Sequence, residues 1–182
     1  MWRKIFLFIL FIFIILILIP LFLIKGVIPG KKEQHLVLNI YDHRRDKIIR
    51  MELEDYIRGV LAAEMPALYH QEALKAQAVA ARTYALKQLP GYGGSGSRKY
   101  KGADLSTDFT DCQAYLSEAG MKERWGFLLF FYYWSRINRA VEDTKGQVLL
   151  YNNKLIDAVY HANSGGITEN AVYVWGKEVP YL

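Results

Sequence analysis

Leu53-Glu54-Asp55-Tyr56-Ile57-Arg58-Gly59-Val60-Leu61-Ala62-Ala63-Glu64-Met65-Pro66 places apolar side chains at 53, 57, 60 and 61, the spacing of one helical face. The pattern predicts a helix over 52–64, closed by Pro66. At about 100° per residue, Glu64 falls within roughly 40° of Leu53, Ile57 and Val60, while Asp55 and Arg58 fall on the far side. A carboxylate therefore sits where the helix carries its apolar stripe, which costs stability unless chemistry needs it.

Two local effects favour the protonated form of such a Glu: desolvation by the stripe, and the negative end of the helix dipole in the last turn. A carboxyl group in this setting suits a general acid that protonates a glycosidic oxygen. The residues leave a second reading open, in which Glu64 sits at a frayed helix end and turns to solvent or pairs with Arg82.

Outward from this helix the chain alternates between strand and helix signals. Residues 36–41 are rich in strand formers, 42–46 make a charged turn, and 47–51 form a returning strand. Residues 71–88 read as a second helix, whose alanines at 73, 76, 78, 80, 81 and 85 permit close packing. Pro90 to Arg98 is a Gly/Ser surface loop with no phosphate-binding fingerprint, since no Lys-Ser or Lys-Thr pair follows. The polar stretch from Asp104 to Tyr115 lacks the spacing and closing Glu of a calcium loop. Residues 118–142 contain helix, and the run Phe127 to Tyr133 is unusually apolar. Core packing is its simplest reading; a surface against a bilayer or another membrane protein is the sharper one. Asn152-Asn153 predicts a tight hairpin between 147–151 and 154–160. The fold class is α+β.

Ile5 to Ile24 is an apolar run of the length that crosses a bilayer as one helix. Arg3 and Lys4 precede it and no small-residue cleavage site follows, so the reading is an uncleaved transmembrane anchor over 1–25, with a linker over 26–35. Residues 36–182 then form one folded domain, placed outside the cell membrane on a single-pass anchor. The net charge of +5 suits an anionic surface or a wall bearing carboxylates, and no arrangement of basic and aromatic residues resembles a nucleic-acid motif. Cys112 is the single cysteine, so no internal disulfide can form.

The stretch from Tyr56 to Tyr84, YIRGVLAAEMPALYHQEALKAQAVAARTY, resembles the signature of the stage II sporulation protein D family of lytic transglycosylases. The resemblance continues through Thr110-Asp111-Cys112-Gln113-Ala114-Tyr115, Ala140 to Thr144 with Gly146, Tyr160-His161-Ala162-Asn163-Ser164-Gly165-Gly166, and Val174-Trp175-Gly176 to Pro180-Tyr181-Leu182. It implies cleavage of peptidoglycan glycan strands between N-acetylmuramic acid and N-acetylglucosamine, leaving a 1,6-anhydro sugar end.

On that resemblance Glu64 is the catalytic residue, and Arg82, Gln113, Tyr115, Tyr160, His161, Ser164 and Trp175 line the glycan groove. Some relatives bind zinc through a Cys, His and Cys set; the matching positions here are Ser106, Asp111 and Cys112, so neither metal nor cofactor is expected. Ser164 and His161 do not make a nucleophilic hydrolase, because no nucleophile elbow surrounds the serine. The resemblance further implies a role in engulfment during sporulation, with glycan strands as substrate and stage II sporulation proteins P and M as partners. The competing class is a wall-binding or amidase-enhancing module without lytic activity. Family members continue well beyond Pro180-Tyr181-Leu182, which suggests a domain incomplete at its C-terminus.

Overall fold

The computed structural model describes residues 2–27 and 35–182, which fall into two units divided at His35. In the first, Trp2–Val27 is helix α1. Crossing a bilayer core takes about 20 uninterrupted apolar residues. Among the described residues no helix is long and apolar enough to cross a membrane. That finding overturns the transmembrane helix in the expected fold class, together with the single-pass membrane placement built on it. Most of the expected linker, residues 28–34, lies outside the described residues.

The second unit opens with strand β1 (Val37–Asp42) paired antiparallel to β2 (Lys47–Glu52), Val37 opposite Glu52 and Asp42 opposite Lys47. A short β3 (Leu105–Ser106) runs parallel along the other edge of β1, giving the order β2-β1-β3. Period-two alternation turns Leu38 and Ile40 inward. Helix α2 (Leu53–Glu64) follows β2 directly and ends at Met65, ahead of Pro66, as its apolar spacing predicts.

Helix α3 (Gln71–Gln88) begins at His70, whose imidazole accepts from the Glu72 N–H. Its buried face carries Leu74, Ala78, Ala81 and Ala85, and the small side chains let it pack closely beside α2. These residues join Ile57, Val60 and Leu61 of α2, and Ile137, Ala140 and Val141, in one apolar core. Burying each of the larger side chains contributes about 1.5–3 kcal/mol.

Helix α4 (Glu118–Asp143) starts at Ser117, whose hydroxyl accepts from the Gly120 N–H, and breaks at Gly126, where φ is 70° and ψ is 161°. Beyond the break only the stripe at helical spacing faces inward. Phe130 does so, 4% exposed, whereas Phe127, Leu128 and Phe131 point outward, Leu128 being 86% exposed. Core packing therefore holds for Phe130, and in part for Tyr133, and not for the run as a whole. Strands β4 (Leu150–Tyr151) and β5 (Lys154–Leu155) form the hairpin about Asn152-Asn153, both of positive φ. It is shorter than the sequence suggests. Helix α5 (Ala171–Trp175) is a single short turn held at Asn170.

Candidate functional site

Glu64 stands in the last residue of α2, half-buried, because the chain turns away at Met65 and leaves the carboxyl at the helix mouth. One of its oxygens, Oε1, accepts from the backbone N–H of Ala114 at 3.0 Å. The segment that delivers this N–H, Gln113 to Leu116, lies along α2. The Leu116 N–H donates to the Gly59 carbonyl at 3.0 Å. Between them Tyr115 stacks on Tyr56 with ring centroids 5.7 Å apart. The stack occupies the space a side chain at position 59 would need: a Cβ there would lie 2.1 Å from the Tyr115 ring.

Gln113 is 5% exposed; its Nε2 donates to the Tyr160 hydroxyl at 3.1 Å, and its Oε1 has no hydrogen-bond partner. Burial pushes the Tyr160 phenol well above its ordinary range, and the nearby Glu64 carboxylate pushes it further while the Gln113 bond opposes the shift. Tyr160 therefore stays a neutral hydroxyl beside Glu64 throughout physiological pH. Tyr84, near the end of α3, is pushed up to about 12 by burial and by Cys112 and Asp111. Burial likewise pushes the Cys112 thiol up to about 12, so it is a thiol rather than a thiolate at neutral pH. A cavity of about 210 Å³ opens beside Tyr84, Ser97, Arg98, Asp111 and Cys112. Among the described residues no three His, Cys, Asp or Glu side chains stand close enough together to hold a metal ion.

A neighbouring cavity of about 410 Å³ also touches Tyr84 and runs past Lys87, Ala158 and Val159 to Trp175 and Lys177. Trp175 forms a wall of a third, of about 360 Å³, lined by His161, Asn163 and Ser164. Side-chain oxygens hold this last loop in tight turns, the Gly165 N–H donating to Asn163 Oδ1 and the Gly166 N–H to Ser164 Oγ.

A family model described as a stage II sporulation protein matches residues 41–151. The chain is 38% identical over 158 residues to stage II sporulation protein D of Bacillus amyloliquefaciens, covering 87% of this chain and 45% of that protein. It is 37% identical over 151 residues to stage II sporulation protein D of Bacillus subtilis, covering 83% and 43%. The chain belongs to the stage II sporulation protein D family. It also shares 41% identity over 127 residues with the amidase enhancer of Bacillus subtilis, covering 69% of this chain and 14% of that protein. The chain thus spans less than half the length of the curated relatives it matches.

Within this family member the structure gathers Glu64, Gln113 and Tyr160 in one place, packs the Tyr115 ring on Gly59 and Tyr56 rather than in a groove, and lines two further cavities with His161, Ser164 and Trp175. Arg82 lies elsewhere. It is 1% exposed, its Nε and Nη2 grip the Glu54 carboxylate at 2.9 and 2.7 Å, and Nη1 and Nη2 also donate to the Gln147 and Val141 carbonyls. Neither a place beside Glu64 nor a groove-lining role fits that burial. Sequence reasoning passed over Gly59 and Tyr84. A glycine in mid-helix, on a face that packs against other chain, marks a close approach, and that is the signal Gly59 carried.

Proposed function

We propose that this chain acts on peptidoglycan as a lytic transglycosylase, with Glu64 as general acid and then general base. The observation that carries the reading is the Ala114 N–H on Oε1, which fixes one carboxyl oxygen, so that the proton is exchanged with substrate through the second oxygen beside the Tyr160 hydroxyl. That oxygen gives its proton to the bridging oxygen as the bond to the anomeric carbon of N-acetylmuramic acid breaks. The sugar's own 6-hydroxyl then attacks the anomeric carbon and returns its proton to Glu64, closing the 1,6-anhydro ring. No water is consumed. The nucleophile is tethered to the substrate, which supplies proximity without a second carboxylate.

Neutral Tyr160, held by the buried Gln113 amide, is placed to hold sugar hydroxyl or acetamido groups beside Glu64. Trp175 offers an exposed face for sugar stacking between the two adjoining cavities. In sporulating cells the substrate is the glycan strand digested during engulfment, and stage II sporulation proteins P and M are the partners to test by co-purification.

The full chain should release 1,6-anhydro-muropeptide ends from purified glycan strands. Glu64→Gln should lower that release by about 10²–10⁴-fold while strand binding persists. The similarity to an amidase enhancer favours a second reading, a wall-binding module that stimulates another enzyme. Wild type that binds strands and never generates anhydro ends would establish this second reading in place of the first.

A further inference from the structure

We propose that Gly59 and Tyr115 form a latch that positions Glu64 by holding the backbone N–H of Ala114 against one carboxyl oxygen. The inference rests on the reading of Glu64 as the proton-exchanging group, and it adds two residues that act through it. Three contacts with α2 carry it. The Gly59 carbonyl accepts from the Leu116 N–H at 3.0 Å, the Tyr115 ring covers Gly59, and one residue earlier Ala114 donates to Glu64 at 3.0 Å. The segment thus reaches along the helix from Gly59 to Glu64, tied by a backbone bond at one end and by the carboxyl at the other.

Gly59 is needed for room rather than for backbone conformation, since it lies inside α2 and has no positive φ. A methyl at this position meets three atoms of the Tyr115 ring between 2.1 and 2.7 Å. The ring cannot swing aside cheaply, because Tyr56 stacks on it with an interplanar angle of 12° and Tyr56 is itself completely buried. Displacing the ring must carry the adjoining Ala114 N–H off Glu64. The Tyr115 hydroxyl contributes little, its contact being the Met51 sulfur at 3.7 Å. Shape of the ring is therefore what the latch uses.

The same segment holds Gln113 against Tyr160. Loosening it frees the carboxyl from its fixed orientation and leaves the open cavities beside Trp175 in place, so turnover should suffer where strand binding does not. Misplacement of a reacting group by about 1 Å can cost on the order of 10²-fold in rate.

The test follows the Ala114 amide in the full chain by hydrogen exchange, alongside steady-state cleavage of glycan strands. Gly59→Ala and Tyr115→Ala should each speed exchange at Ala114 and lower kcat at least tenfold with KM little changed, while the amides of α3 keep their protection. Tyr115→Phe should restore both readouts. Should Gly59→Ala fail to fold, the Tyr115→Ala and Tyr115→Phe pair decides the matter. Unchanged Ala114 exchange in a folded Gly59→Ala or Tyr115→Ala chain overturns the latch, as does a fall in kcat that Tyr115→Phe fails to restore. If wild type never cleaves, the lytic reading fails, and Ala114 exchange still decides the latch as a structural device.

Discussion

Arg82 carries an arginine's full hydrogen-bonding capacity into the apolar core and directs it at Glu54 and two carbonyls. The bidentate grip ties α3 to the first turn of α2, and the carbonyl bonds tie both to the end of α4 and the approach to β4. A buried charge pair is expensive to break one-sidedly, because the surviving partner is left without compensation. Arg82→Ala should therefore destabilise the folded unit by roughly 3–5 kcal/mol in urea unfolding. Its activity per folded molecule should change little. A variant with unaltered unfolding midpoint and lost cleavage would instead return Arg82 to the groove.

Two glycines separate the effects of space and backbone at the scale of single elements. Gly126 breaks α4 at φ 70° and ψ 161°, and a Cβ there would meet nothing within 4 Å. Its need for glycine is conformational, in a region of backbone space that other residues hardly enter. Gly126→Ala should cost about 1–3 kcal/mol despite the open surroundings, read as a lower unfolding midpoint. Straightening of α4 without loss of stability would contradict this. The helices α2 and α3 and the hairpin at Asn152-Asn153 were legible because each rests on local rules: apolar spacing, a stopping Pro66, a pair of residues tolerant of positive φ. The Gly126 break was not, since an isolated glycine inside a helical pattern is tolerated as readily as it breaks the helix, and the outward turn of Phe127, Leu128 and Phe131 follows it. Of the site, Glu64 was legible from its place on the α2 stripe. The partners it meets come from tertiary packing: Tyr160 is reached through family resemblance rather than pattern, and the Ala114 N–H, fifty positions on, by neither.

Across the molecule, the stretch between α3 and the site is held to the sheet by the β3 pairing and the buried Leu105, and is braced by carboxylates. Asp104 accepts from the Asn39 N–H of β1, and Asp111 accepts from the Ser97 hydroxyl. Asp108, buried just after β3, accepts from Lys99, from the Tyr100 hydroxyl, and from both the backbone and the hydroxyl of Thr110. The Lys99 bond leads the causes, with the Thr110 bonds next, that hold the Asp108 carboxyl well below the usual carboxylate range. Because the folded form binds this proton more weakly than the unfolded chain, Asp108 contributes stability at all pH values above the unfolded aspartate range, about 3.9. That contribution is lost progressively as pH falls below it. Since Gln113 and Ala114 follow within a few residues, acid should loosen the site before it melts the apolar core of α2, α3 and α4. Amide exchange at Ala114 should accelerate below about pH 4 while exchange in α3 stays slow. Asp108→Asn should flatten the dependence, its neutral side chain being indifferent to the proton. Identical acid profiles in wild type and Asp108→Asn would show that other carboxylates govern the attachment of this segment.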